Sequence, residues 1–447
     1  MKHSWKLASV IAIVAAQAAV ADDVNEFREA FLAGELDWAA VEARAKEEGE
    51  VNLYYYGGID PLNVWMDRIV GPAMSDLGIK LNPVRITATK DAVDLVLAEK
   101  NSGKGLGEGS IDLIWSNGEN FATLKRQDAL FGSFATLLPN SANLEFDPED
   151  PRSQLNLRDF GVENNAAEMP WSGDQYVCSY NADRVAAEDV PSTFEEMHAY
   201  LEDHPGKFTY VKPPHYLGNT FVQEVIYAFN PDGTGAEPFQ QSRDDIPAEE
   251  LARLIEPAFE YLREIEPLLL DGTNGSARYP EDNPSLDGLF LNGEIDFSCA
   301  FGLYGAATGL AMGTFPEAAQ QFIFPENTMI KNKNYLGAPS NMPNPAAAMV
   351  LANWMTSLES QATKMQMAGQ PAGIDEWKLS EADAATLAEA SPGLIGVTAE
   401  ELAANVAPDT NATLVDVIEA TWLEYIERDS TDSIETIVAR AYTNLSK

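Results

Sequence analysis

Gly49-Glu50-Val51-Asn52-Leu53-Tyr54-Tyr55-Tyr56-Gly57-Gly58-Ile59-Asp60-Pro61 decides the fold. Its β-branched and aromatic core predicts a strand, and the paired glycines break it. Asp60-Pro61 then reads as a helix start, with Asp as cap and Pro at the first helical position. Leu62, Trp65 and Ile69 recur at helical spacing, so that helix has one apolar face. Upstream, Asp37 to Glu48 is an amphipathic helix stopped by Gly49. Downstream, a strand over 79–86, a helix over 91–99, a strand over 111–115 and a helix over 119–130 continue the alternation. This β-α-β-α-β order implies a parallel sheet with helices on its faces.

A second unit follows a loop holding Pro139, Pro148 and Pro151. Strands are expected over 174–181, 207–211, 295–301 and 321–324. Helices are expected from a Ser192-x-x-Glu195 capping box, near Asn219, over 247–269 and over 285–292. Asn344-Pro345 opens a strongly apolar helix through Met355. Amphipathic helices over 413–425 and 434–442 close the chain.

The N-terminus predicts export. Lys2 and Lys6 precede an apolar run from Leu7 that ends in Ala19-Val20-Ala21, the pattern of a secretory signal peptide (residues 1–21) cleaved after Ala21. The run is shorter than the roughly 20 residues of a spanning helix. The expected location is the periplasm. The 447 residues carry 70 acidic and 29 basic side chains, a net charge of −41. Such a chain repels phosphate backbones, so no nucleic acid is expected as a partner. Cys178 and Cys299 can pair in an oxidising compartment or sit buried as free thiols; geometry decides. His198, His204 and His215 lack metal-ligand spacing, and neither metal nor cofactor is expected.

Four stretches carry a family resemblance. They are residues 49–58, Ile111-Asp112-Leu113-Ile114-Trp115-Ser116-Asn117, Met169 to Asn181 followed by Pro191-Ser192-Thr193-Phe194-Glu195-Glu196, and Phe290-Leu291-Asn292-Gly293-Glu294-Ile295-Asp296-Phe297. In this order the chain resembles the periplasmic solute-binding proteins of ABC transporters. It is similar to the type that binds maltose, spermidine, thiamine or iron, and to the YnjB-like proteins. The resemblance implies an α/β, two-lobed type II periplasmic-binding-protein fold. Each lobe would be a mainly parallel sheet with helices on both faces, joined by a hinge of crossing segments. The implied lobes are 22–172 plus 334–375 and 173–333 plus 376–447. The implied partners are a small-molecule ligand and the transporter's permease subunits, with the protein itself a monomer.

In open α/β sheets, ligands sit at the carboxyl ends of strands. That rule and the resemblance nominate Tyr55, Tyr56 and Asp60; Trp115, Ser116, Asn117 and Asn120; Trp171, Asp174 and Gln175; Tyr216, Gly218, Asn219 and Thr220; Phe301 and Tyr304; and Tyr335 and Asn341. Aromatic walls hold sugars or cations, and a carboxylate from Asp60, Asp174 or Glu119 favours the cation. The expected ligand is a small polar organic solute, for which an amine or thiamine-like cation is one candidate, and the alternative is a sugar or neutral osmolyte. The iron-binding relatives use paired tyrosines, and no such pair occurs late in this chain. An exported enzyme on a similar scaffold would need a nucleophile–base pair in the cleft. An adaptor presenting ligand to a sensor would share every feature above. Gly103-Lys104-Gly105 lacks the Gly-Lys-Ser/Thr ending of a phosphate loop, and Asp271 to Gly275 lacks calcium-loop spacing.

Overall fold

The computed structural model describes residues 23–324 and 328–445. The signal-peptide reading lies outside them. Ten strands occur in chain order: β1 (Glu50–Tyr56), β2 (Lys80–Ile86), β3 (Leu113–Ser116), β4 (Arg158–Asp159), β5 (Val162–Glu163), β6 (Glu168–Asn181), β7 (Phe297–Phe301), β8 (Ala319–Phe322), β9 (Met329–Gly337) and β10 (Val406–Ala407). The main sheet runs β2-β1-β3-β9-β6-β7, with β8 also on β6 and β10 on β9. A hairpin, β4–β5, stands apart.

β1 alternates as read: Val51, Leu53 and Tyr55 are buried, while Asn52, Tyr54 and Tyr56 face the other side half-buried. The Asp60 helix forms one residue earlier than expected, its cap being Ile59. The Ser192 capping box is shifted by one: Thr193 caps the helix by accepting from the Glu196 N–H, and Glu196 reaches back to Ser192.

Two large apolar cores divide the molecule. One draws on residues 24–171 and 336–368, including Trp65, Trp171, Met349 and Leu351. The other draws on 176–330 and 407–441, including Phe194, Phe221, Phe259 and Trp422. β6 and β9 pass between them. β6 pairs with β9 over Glu168–Gln175 and then with β7 and β8 over Tyr176–Asn181.

The expectation of mainly parallel sheets needs correction. Parallel pairing is confined to β1–β2, β1–β3 and β10–β9. The two long crossing strands pair antiparallel with each other and with β3, β7 and β8. The strand expected over 207–211 forms no ladder: its carbonyls receive loop N–H groups from Leu270 and Asp296. Cys178 and Cys299 face each other on β6 and β7 and are joined by a disulfide.

The crossing region is tied by side chains. Register slips between Pro170 and Ser172. The Trp171 carbonyl, freed from the ladder, accepts from Gln361 (2.7 Å) and from the Lys364 amine (2.9 Å). Lys364 also reaches Pro371, and Ser172 bridges to Ala372, which places the third segment beside β6. Lys333 on β9 pairs with Asp375 at 2.5 Å, buried, with Asn156 completing the network. After Asp375 the chain stays with the first core. Lys378 reaches Glu145, and the helix Glu381–Ala390 packs on Leu358–Ala368. The first ladder-like contact with the second body comes at Ile395, whose carbonyl accepts from the Gln321 N–H, just after Ser391 meets Tyr304.

A candidate ligand-binding seam between two bodies

The carboxyl ends of β1 and β3 and the N-terminus of the helix Tyr216–Ala228 converge where the two bodies meet. Gly58 lets the Tyr56 ring lie over bare backbone: a Cβ would lie 2.2 Å from the Tyr56 hydroxyl and displace the ring. Gly218 plays the same part opposite, where a Cβ would lie 2.2 Å from the Val211 carbonyl oxygen. The tight approach turns on His215, whose Nδ1 accepts from the Leu217 N–H, just after the cis Pro213–Pro214 bond.

Tyr216 is 49% exposed. Its phenol pKa is nevertheless raised, by desolvation first, then by Tyr56, Asp174 and Asp287. Tyr216 thus stands at the seam of the two bodies, open to solvent on one side and with groups from both bodies around it. Tyr56, from the first body, has its phenol pushed up by burial and by Asp282 of the second. Asp287 is half-buried, and desolvation takes its carboxyl up to about 7. Asp174 accepts from the Leu303 N–H (2.8 Å) and the Gln175 N–H (2.9 Å), and burial still takes it up to about 6. His215 is lowered by desolvation, against the pull of Asp282.

The nominated residues divide. Tyr56 meets Trp115 edge-on at 6.5 Å, and Tyr216 lies 6.2 Å from Phe301. With Asp174 these make one group around the gap. Tyr304 precedes the helix Gly305–Met312 and is half-buried; burial raises its phenol, and a hydrogen bond with Ser391 opposes this. Asn117 donates to Asn334 on β9, and Asn219 donates to Glu419. Asn120 donates to Glu119, and Asp60 is exposed on its helix's first turn.

The others are interior. Trp171 is 1% exposed, within ring-contact distance of Trp65 and Trp115, and its indole N–H has no protein partner. Tyr335 donates to the Leu155 and Arg158 carbonyls, Tyr55 to Asn63, Gln175 to the Leu402 carbonyl and Thr220 to the Tyr216 carbonyl. Ser116 is buried with its hydroxyl unpartnered, and Asn341 is committed to Glu99. Period-2 alternation reverses the side on which each strand residue lies, and a strand-end motif does not give that phase.

Sequence reasoning did not nominate Asp282, Asp287, His215, Asp416 or Glu419. In a chain with 70 acids their spacing carries no signal, and only the fold brings them to the gap. Two shallow surface hollows, one beside Leu423 and Arg440 and one beside Phe31 and Trp38, contain none of the residues of the gap. No group of metal-holding side chains exists among the described residues, and none of their helices is long and apolar enough to cross a membrane.

A two-bodied α/β molecule with crossing strands and a polar, aromatic-lined gap between its bodies is a solute-binding protein of the type II periplasmic-binding fold. Residues 72–391 match the profile of the bacterial extracellular solute-binding proteins, and the chain belongs to that family. Protein YnjB of Escherichia coli K12 is 30% identical over 360 residues, 80% of this chain and 87% of that one. A putative extracellular solute-binding protein from Bordetella parapertussis superposes with a TM-score of 0.59 at 11% identity, over 86% of this chain and all of that one. The apo ferric ion-binding protein A of Pasteurella haemolytica does so with 0.56 at 15% identity, over 86% and 99%.

Proposed function

We propose that the protein captures a small organic cation between its two lobes and delivers it, without turnover, to the membrane permease of an ABC importer. The carrying observation is the surroundings of Tyr216. Tyr56, Asp174 and Asp287 act on it from both sides of the gap, with the His215 ring stacked on it and Lys364 and Lys331 facing Asp174. Aromatic faces attract a cation through their quadrupole, and desolvated carboxylates add a direct charge. Family membership supports binding and delivery; a putative spermidine/putrescine ABC transporter protein from Listeria monocytogenes shares the fold. The lobes are proposed as 23–172 plus 334–390 and 173–333 plus 391–445. The third boundary follows the packing of Glu381–Ala390 on the first body.

A thermal-shift screen of the mature protein tests this, with amines, thiamine, sugars and neutral osmolytes. Ligand at 100 times its Kd stabilises by about 2.7 kcal/mol. Stabilisation by amines supports the reading. Stabilisation by sugars alone replaces it with the neutral-ligand alternative, and consumption of the hit overturns binding without turnover.

A further inference from the structure

The gap ends in carboxylates contributed by both bodies. From the first come Glu119, at the start of the helix Glu119–Arg126, and Asp159, in the β4–β5 hairpin. From the second come Asp409, after β10, and Asp416 and Glu419, on the helix Ala412–Trp422. The two helices pack against each other, and the hairpin is docked by the Ala412 N–H on the Phe160 carbonyl at 2.9 Å. Glu119 keeps an exposed face on its helix's first turn, yet partial desolvation, and then Asp416 and Glu419, raise its carboxyl. Asp159 is raised by burial, then by Asp409 and Glu119.

These groups are poorly compensated. Asp159 is 1% exposed and Glu168, which borders it, is 0% exposed; the Glu168 carboxyl oxygens have no protein partner, and Asp159 is met by the Gly118 backbone N–H alone. The neutral donors present are Asn219 on Glu419, Asn332 on Asp409, Asn120 on Glu119 and the Gly118 backbone N–H facing Asp159. Arg126 and Arg243 face Asp416, and Lys125 faces Glu168 while donating to the Glu163 carbonyl. Glu224 faces Asp409 with one oxygen unpartnered. Unpaired buried carboxylates repel one another and cost far more than exposed ones.

We propose that Glu119, Asp416 and Glu419, with Asp159 and Asp409 behind them, select ligands by charge: bringing the lobes together requires positive charge at this interface. A cationic ligand supplies it in use, and protons supply it when the cleft is empty. Among the described residues no side-chain group has metal-holding geometry, so a diffuse organic cation is the fitting occupant. The ligand half rests on the function proposed above, whereas the proton half does not.

The test is small-angle scattering of the mature protein without ligand from pH 8 to pH 5, at low and high salt. The wild type should be extended at pH 8 and compact as pH falls. Glu119→Gln/Glu419→Gln should move the compaction midpoint up by about one pH unit or more, and Asp416→Asn alone should move it the same way. Choline and putrescine are the cationic probes and glucose the neutral one. The cations should compact the wild type at pH 8 and lose at least about 10-fold in affinity in the double variant. Compaction that ignores pH, or that the substitutions leave unmoved, overturns the proposal. Intact pH-driven compaction with no response to either cation upholds the interface charge requirement and overturns the cationic-ligand reading alone.

Discussion

At the residue scale, the gap's chemistry depends on carboxyls that titrate near neutrality. Asp287 is held at about 7 and Asp174 at about 6, in each case chiefly by desolvation. A cation prefers both ionised, so its affinity should rise between pH 5 and pH 8, by about 10-fold or more, measured by calorimetry with an amine that stays protonated throughout. Asp287→Asn should flatten the upper part of that profile. Tyr216→Ala should weaken binding by about 5- to 30-fold, since an aromatic face on a desolvated cation contributes about 1–2 kcal/mol. Loss of Tyr216 with unchanged affinity would remove it from the site. Tyr216, Tyr56 and Phe301 were legible because they stand at strand and helix ends. Trp171 stands at an equally suggestive position, but the register slip beside it turns the ring into the first core and leaves only its carbonyl at the crossing.

At the element scale, the crossing segments bear the most consequence. The Lys333–Asp375 pair is buried on both sides, and burial lowers the lysine's pKa against the pull of the aspartate. Removing one member leaves an uncompensated charge, so Asp375→Asn should cost about 3–5 kcal/mol in urea unfolding. Lys333→Met/Asp375→Leu should recover much of that, because it removes both charges. The disulfide closes a long loop, with a sequence separation of 121. Cys178→Ala/Cys299→Ala should therefore lose about 2–5 kcal/mol, within the second body alone. The local elements were legible where caps and periodicity agree, as at Asn344-Pro345 and in β1. Pairing direction was not, because it depends on the direction in which β6 and β9 run past β3, β7 and β8, and β6 and β9 read as ordinary strands. The stretch 207–211 has strand chemistry but finds loops, not strands, beside it.

At the scale of the whole molecule, acidity and function pull stability and binding in opposite directions. Asp112 and Asp409 are buried at 0% and 5% exposure, and desolvation raises both to about 7. Asp112 keeps that value although Asn52 and Asn344 donate to it. An acid whose folded pKa lies above its unfolded value of about 4 favours the folded state while protonated. Its contribution is complete below pH 4 and is lost as pH rises through 7. Asp174 and Asp287 add to the same trend within the gap. The ligand-free protein should thus be more stable at pH 5 than at pH 8, by a few kcal/mol, with a thermal midpoint that falls steadily across that window. A saturating organic cation should oppose the fall, since it binds the ionised carboxylates and its affinity grows over the same interval. The gap between the liganded and ligand-free melting curves should therefore widen with pH. Curves that stay parallel from pH 5 to pH 8 would mean that the carboxylates losing protons are not the ones the ligand meets.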